Sequence, residues 1–154
     1  MIIERRSSDR GRSGGANGPA GLDSRLGFSS GGYYDPAWMG FGVLRLLNET
    51  RVDPGAGFAP DRRANMDILS YVLGGALLHH DDCGGELRVG PGELHWLGAG
   101  HGVDSTVRVS TRSGSRAAIA QASAPPQSWP TTCARSAPTS SRSAVTSPTI
   151  SVMT

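Results

Sequence analysis

Four histidines and a few carboxylates are the residues of this chain that could do chemistry, because imidazole and carboxylate groups bind metals and carry protons. His79 and His80 end an apolar run just before two aspartates, which predicts an exposed hairpin end. His95 alternates with apolar neighbours and is expected on one face of a strand, as a satisfied or exposed side chain. His101 lies in a glycine-rich turn. Their spacing alone does not predict a metal site.

Other catalytic patterns are missing from the sequence. The chain has no lysine, which excludes the phosphate-binding loop that ends in Gly-Lys. It also has no dinucleotide-binding glycine pattern after a convincing strand. The carboxylates are scattered, so the sequence predicts no acid–base pair; they include Asp53, Asp61, Asp67 and Glu93.

Length and charge bound the possible partners. A chain of 154 residues suits one modest domain and is short for two. Residues 1–104 carry 10 Arg and 13 acids, a balance of −3, whereas residues 105–154 carry 5 Arg and no acid, which gives the formal charge of +2. Without an arginine cluster, nucleic-acid binding is not expected. No apolar run approaches the roughly 20 residues that cross a bilayer, so no membrane partner is expected.

The two cysteines predict the compartment. Cys83 and Cys133 lie far apart, without the Cys or His spacing of a zinc site, and no signal-peptide apolar region precedes the domain. We therefore expect two reduced thiols in a cytoplasmic protein.

Short apolar runs between turn residues predict an all-β fold, an antiparallel sandwich or barrel. A helix over 63–71 is a weak alternative, because Ile68 and Leu69 fit a strand as well. The predicted strands cover residues 42–47, 68–73, 76–80, 86–89 and 93–97.

Composition divides the chain into three segments. Residues 1–30 are rich in Arg, Ser and Gly, which predicts a mobile loop over 11–21 and a short edge strand at Ile2-Ile3. Residues 31–104 form the predicted domain. In residues 105–154, 20 of 50 positions are Ser or Thr and none is Phe or Tyr. This segment is predicted to be a disordered tail, because it cannot offset an ordering cost of about 1–2 kcal/mol per residue.

Several motifs carry a resemblance to a known family. They are Tyr33-Tyr34-Asp35-Pro36, Met39-Gly40-Phe41-Gly42, Asn48-Glu49, Val52-Asp53-Pro54-Gly55-Ala56-Gly57-Phe58, Met66-Asp67-Ile68-Leu69-Ser70-Tyr71-Val72-Leu73, Pro91-Gly92-Glu93 and Ala99-Gly100-His101-Gly102. In these motifs the chain resembles the N-terminal half of the pirin family, which are two-domain cupins. The resemblance ends near Asp104, where the composition also changes, and this coincidence suggests a tail read out of frame.

The resemblance implies a truncated cupin-type β-barrel and a specific metal chemistry. Pirins hold one divalent metal, iron in the family, with three histidines and one glutamate. Some members are quercetin 2,3-dioxygenases, and others are transcriptional cofactors. A lone half is expected to expose barrel surface for a protein partner or for self-association.

Carried over to this chain, the four ligand positions fall on residues of mostly unsuitable type. The first two, after Gly57-Phe58-Ala59-Pro60, are Asp61 and Arg63; the other two are Ser105 and Val107. Of these side chains, only the Asp61 carboxylate is a usable ligand, because a guanidinium is permanently cationic. His101 is the candidate for rescuing the site.

The resemblance therefore predicts a pirin-like protein that is metal-poor and inactive. Two alternatives remain open. One is a non-catalytic protein-interaction module of the transcriptional-cofactor type, and the other is a weakly active oxygenase that uses Asp61, His101 and water.

Overall fold

The computed structural model of the protein describes residues 3–14, 21–82, 84–110 and 116–126. Within these ranges the regular structure is one short 3-10 helix, Ser7–Asp9, and ten strands. The strands are β1 Gly11–Gly14, β2 Leu22–Leu26, β3 Leu46–Val52, β4 Gly57–Arg63, β5 Asp67–Gly74, β6 Ala76–Asp81, β7 Glu86–Val89, β8 Leu94–Gly98, β9 Val103–Ser110 and β10 Ala117–Ala124. The predicted all-β class is confirmed.

The strands form two antiparallel sheets. The larger sheet has the order β1-β2-β3-β10-β5-β8, and the smaller has the order β4-β9-β6-β7. Strand β10, the last in the described chain, lies between β3 and β5 in the larger sheet, with Ala117 opposite Val52 and Ala120 opposite Tyr71. The core therefore depends on pairing between distant parts of the sequence.

Alternate side chains of β5 face the interior of the molecule and its outer surface. Ser70 and Val72 are buried and point to the interior, whereas Leu69 and Tyr71 lie on the opposite face and are exposed. Val72 pairs with Ile119 of β10, and both are fully buried. Apolar burial of this kind stabilises the fold by roughly 1.5–3 kcal/mol per side chain.

The apolar core occupies one end of the interior. Leu77 of β6 and Val109 of β9 lie opposite each other on neighbouring strands of the smaller sheet. They pack into one cluster with residues of the larger sheet. The other buried members of this cluster are Leu22, Val52, Val72, Val89, Ala117 and Ile119.

Strand β4 is an edge strand with an irregular centre. Its pairing with β9 shifts register between Phe58 and Asp61, where Ala59 and Pro60 lie. Proline has no N–H for the ladder, so an edge position at a bulge suits it. The bulge ends where Asp61 resumes pairing, opposite Ser105.

Two segment predictions need correction. Strand β1 covers Gly11–Gly14, within the predicted loop, and pairs with β2; residues 15–20 and Ile2 lie outside the described residues. The boundary at Asp104 falls inside β9, and β10 follows it, so the predicted disorder is wrong for residues 105–110 and 117–124. In β10 the buried Ala117, Ile119 and Ser123 alternate with less buried residues, so small side chains supply the inner face.

Strand predictions in the middle of the chain were accurate. β5 to β8 match the predicted runs to within one residue at each end, whereas residues 42–45 precede β3 and form a turn closed by the Phe41–Leu44 bridge. The helical alternative over 63–71 is wrong, because β4 ends at Arg63 and β5 begins at Asp67. In the described part of the chain, no helix has the length and apolar character needed to cross a membrane.

Candidate functional site

The interior becomes polar beyond the apolar core and opens into a cavity of about 270 Å³. On the larger sheet, the row next to Val72 and Ile119 consists of Asn48, Gln121, Ser70 and His95 in register. The Gln121 amide nitrogen donates to Ser70 Oγ at 3.1 Å. Cavity-lining apolar groups, including Phe58 and Leu97, surround these polar side chains. Such a mixture is typical of a small-molecule site.

The four positions implied by the family resemblance come together on the lining of this cavity. Asp61 and Arg63 reach it from β4, and Ser105 and Val107 reach it from β9. Asp61 and Ser105 lie directly opposite each other in the ladder. An Arg63 guanidinium nitrogen (Nη2) lies 2.5 Å from Asp61 Oδ2, so the carboxylate already has a cationic partner.

Two histidines on facing sheets also line the cavity. His79 of β6 is 3% exposed, His95 of β8 is 8% exposed, and their ring centroids are 4.6 Å apart at a tilt of 44°. Neither ring nitrogen of His79 has a hydrogen-bond partner within the described residues. Its Nε2 lies 3.5 Å from Asp81 Oδ2, which is long for a hydrogen bond. A buried polar group of this kind calls for a ligand or a water molecule.

Burial keeps both imidazoles neutral. Removal from water lowers the pKa of His79, and the nearby Asp81 carboxylate opposes this effect only in part. Burial, together with the neighbouring His79, lowers the pKa of His95 to about 4. At neutral pH each ring therefore has one N–H donor and one nitrogen acceptor.

The predictions for these histidines require correction. His79 does not mark an exposed hairpin end, although His80 beside it is exposed. In β6, Leu77, His79 and Asp81 share the inner face, so alternation from the apolar run was the signal that could have found it. His95 does lie on one face of a strand, as predicted, and that face is the cavity wall.

His101 occupies a different place. It is exposed in the turn between β8 and β9 and lies outside the cavity lining, so the structure does not bring it together with Asp61 there. Across the described ranges, no three His, Cys, Asp or Glu side chains converge in a way that could hold a metal ion. The donor set on this lining does not fit a site of three histidines and one glutamate.

Two antiparallel sheets around a small polar cavity define a cupin-type protein. The chain belongs to the Pirin family, which is matched over residues 8–122. This match runs past Asp104, so the predicted end of the resemblance there is wrong.

The chain is similar to a quercetin 2,3-dioxygenase of Escherichia coli (strain K12), with 40% identity over 103 residues that make up 67% of this chain and 43% of the relative. A pirin-like protein of Caulobacter vibrioides is 35% identical and is covered to the same 43%. The crystal structure of the bacterial pirin YhhW from E. coli in complex with nickel(II) matches with a TM-score of 0.75 and 34% identity, over 83% of this chain and 53% of that one. The chain thus spans about half the length of these proteins.

Proposed function

We propose that this chain is a metal-poor pirin-family cupin domain that does not catalyse the dioxygenation for which several relatives are named. The observation that carries this proposal is the ion pair between Asp61 and Arg63 on the cavity lining. The pair is about half exposed, and a cation beside the one carboxylate at the four positions still opposes binding of a divalent metal, because the charges repel and the carboxylate already has a partner.

The facing strand does not make up for this loss. Ser105 offers a neutral hydroxyl, and Val107 offers no donor. His79 and His95 are neutral and could each give one nitrogen, but two imidazoles are fewer protein ligands than catalytic metal sites use. We therefore expect at most weak, non-catalytic binding of a divalent metal.

Restoring the four ligands tests the proposal. We expect purified native protein soaked in nickel(II) or iron(II) and then desalted to keep far less than one metal ion per chain, and to consume no oxygen with quercetin. The variant D61H/R63H/S105H/V107E should retain close to one nickel ion per chain, since a full ligand set would line the same cavity. Metal content by mass spectrometry is the readout.

The matched control is the double variant D61H/R63H, which changes β4 alone. Two histidines without ligands from β9 should bind nickel at least about tenfold more weakly than the fourfold variant. Strong binding by the double variant would show that the ligand positions are wrongly assigned. Stoichiometric metal and quercetin turnover in the native protein would overturn the proposed function.

A second candidate function is binding of a small hydroxylated aromatic molecule without turnover. The specific observation is the buried His79, whose ring nitrogens make no hydrogen bond of ordinary geometry within the described residues, beside His95. Neutral imidazoles can accept from one hydroxyl and donate to another, while the apolar lining packs on a ring. Calorimetry with catechol and with quercetin tests this function; binding that survives H79Q/H95Q would contradict it.

Compartment remains a prediction. We propose a cytoplasmic protein with reduced thiols; Cys83 and Cys133 both lie outside the described residues. Cell fractionation with thiol labelling of the intact protein tests it, and a disulfide-linked, exported protein would contradict it.

A further inference from the structure

The outer face of the larger sheet is apolar over β10, β5 and β8, whereas β3 contributes Leu47 together with the charged Glu49 and Arg51. Its large apolar side chains are Leu47, Leu69, Tyr71, Leu73, Leu94 and Trp96, which are 40–62% exposed. Register places them in adjoining rows: Leu47, Ala122, Leu69 and Trp96 form one, and Ala120, Tyr71 and Leu94 form the next, which ends at Glu49. A polar outer face is the usual arrangement for an antiparallel sheet with one side in water, so this one calls for a partner.

A second cavity, of about 590 Å³, opens at the β3 end of this face. Leu47 belongs both to the face and to the cavity wall, whose aromatic members are Phe28, Trp38 and Phe41. Phe41 is 68% exposed at this cavity. The Arg5 guanidinium lies 4.3 Å from the Trp38 ring centroid and holds that ring in place.

The opposite end of the same row carries a half-exposed aromatic side chain. Trp96 lies on β8, one of the two edge strands of the larger sheet, packs over Gly98 of the same strand, and is 50% exposed. The face therefore has an aromatic-lined cavity at one end and an indole ring at the other, with a flat apolar stretch between them.

We propose that this face is the interface of a homodimer in which Trp96 of each copy enters the cavity of the other. In a face-to-face pair whose two-fold axis runs along the strands, the rotation reverses the strand order. The β8 end of one copy then lies over the β3 end of the other, and two identical Trp96 contacts form. An axis across the strands would bring the two Trp96 side chains together instead and leave both cavities empty.

The area suits a second copy. The six large side chains expose on the order of 500 Å², at the upper end of what a monomer leaves uncovered. With the alanines and the cavity wall, the face approaches the roughly 800 Å² per partner of a specific dimer.

Sedimentation equilibrium of the full chain over a range of concentrations tests the proposal. We expect a reversible dimer whose dissociation constant rises about 30-fold or more in W96A and in F41A, because each removes one side of both Trp96–cavity contacts. The matched control is Y34A, which truncates an aromatic residue that is 72% exposed and lies outside both the face and the cavity; it should leave the dimer unchanged. Circular dichroism establishes that each variant is folded.

Cross-linking tests the orientation. In a background with Cys83 and Cys133 changed to serine, W96C protein and F41C protein are mixed and treated with a short bis-maleimide. We expect a cross-linked dimer from the mixture and little from either protein alone. A folded monomer at all concentrations would overturn the proposal. So would a dimer insensitive to W96A and F41A, or cross-linking of W96C protein to itself.

Discussion

Two imidazole rings side by side inside a protein are tolerated while neither is charged. His79 and His95 meet this condition at neutral pH, because burial lowers both pKa values. Protonating either ring would place a cation next to the other ring, where little water can solvate it. The pair therefore links the charge state of the cavity to the stability of the fold.

We predict that the free energy of unfolding decreases as the pH falls from 6.5 towards 4. The unfolded chain binds a proton at His95 near its ordinary pKa of 6.5, whereas the folded protein does so only at about 4. His95 therefore carries no penalty above pH 6.5, and its destabilising contribution grows as the pH falls between these values. Urea denaturation at several pH values measures the slope.

The variant H95Q serves as the control for this effect, because carboxylates such as Asp81 also titrate at acid pH. H95Q should reduce the pH dependence between 6.5 and 4, since it removes one of the two groups whose pKa is lowered on folding and leaves His79 as the other. An unchanged slope in H95Q would show that the buried imidazole does not control acid stability.

For individual residues, the sequence predicted part of the candidate site. The resemblance grouped Asp61, Arg63, Ser105 and Val107, and the structure places all four on one cavity lining. It did not identify His79, because the adjacent His80 and the two aspartates gave the segment the appearance of a surface turn. Alternation from Leu77 places His79 on the inner face once β6 is taken as a strand, and the pairing of β6 with β9, which puts His79 opposite Val107, agrees with this.

Strand β10 is the element on which the larger sheet depends. It pairs with β3 on one side and with β5 on the other, so its removal would leave two unpaired edges and open the core around Ile119.

We predict that the two possible boundaries of the domain behave differently on truncation. A chain of residues 1–104 should fail to unfold cooperatively, since it lacks β10 and most of β9. A chain of residues 1–126 keeps every described strand and should remain within about 1 kcal/mol of the full chain in unfolding free energy. Thermal denaturation followed by circular dichroism compares them, and a cooperative transition in the shorter chain would contradict the assignment.

Strands were predicted correctly where the local sequence combines apolar runs with turn residues. Strands β5 to β8 combine apolar side chains with glycine-rich turns, and their existence was evident from the sequence. Strand β4 ends in three charged residues and contains Pro60, while β10 is built largely from alanine. Such segments become strands because neighbouring strands provide pairing partners, and local propensity does not report this.

At the scale of the whole molecule, the interior has a closed apolar end and an open polar end. Leu77 is fully buried at the closed end, and His79, two residues further along the same strand, reaches the cavity. One strand thus contributes to both the apolar core and the cavity lining. Substitutions of residues at the closed end should therefore act mainly on the free energy of unfolding.

We predict that L77A lowers the free energy of unfolding by about 2–5 kcal/mol, because it opens a cavity where both sheets meet. The matched control L87A alters a leucine that is 38% exposed on β7 and should cost about 1 kcal/mol or less. Urea denaturation measures both. Similar losses in the two variants would show that the closed end is not the main source of stability.

The position of β10 also governs how the molecule can reach its fold. Strands β3 and β5 are synthesised long before the strand that joins them, and each must wait with an unpaired edge until residues 117–124 arrive. Closing so long a loop is slow, and edges left open in the meantime attract other chains. The late pairing of β10 should therefore limit the yield of folded protein. Slow synthesis at low temperature should raise that yield.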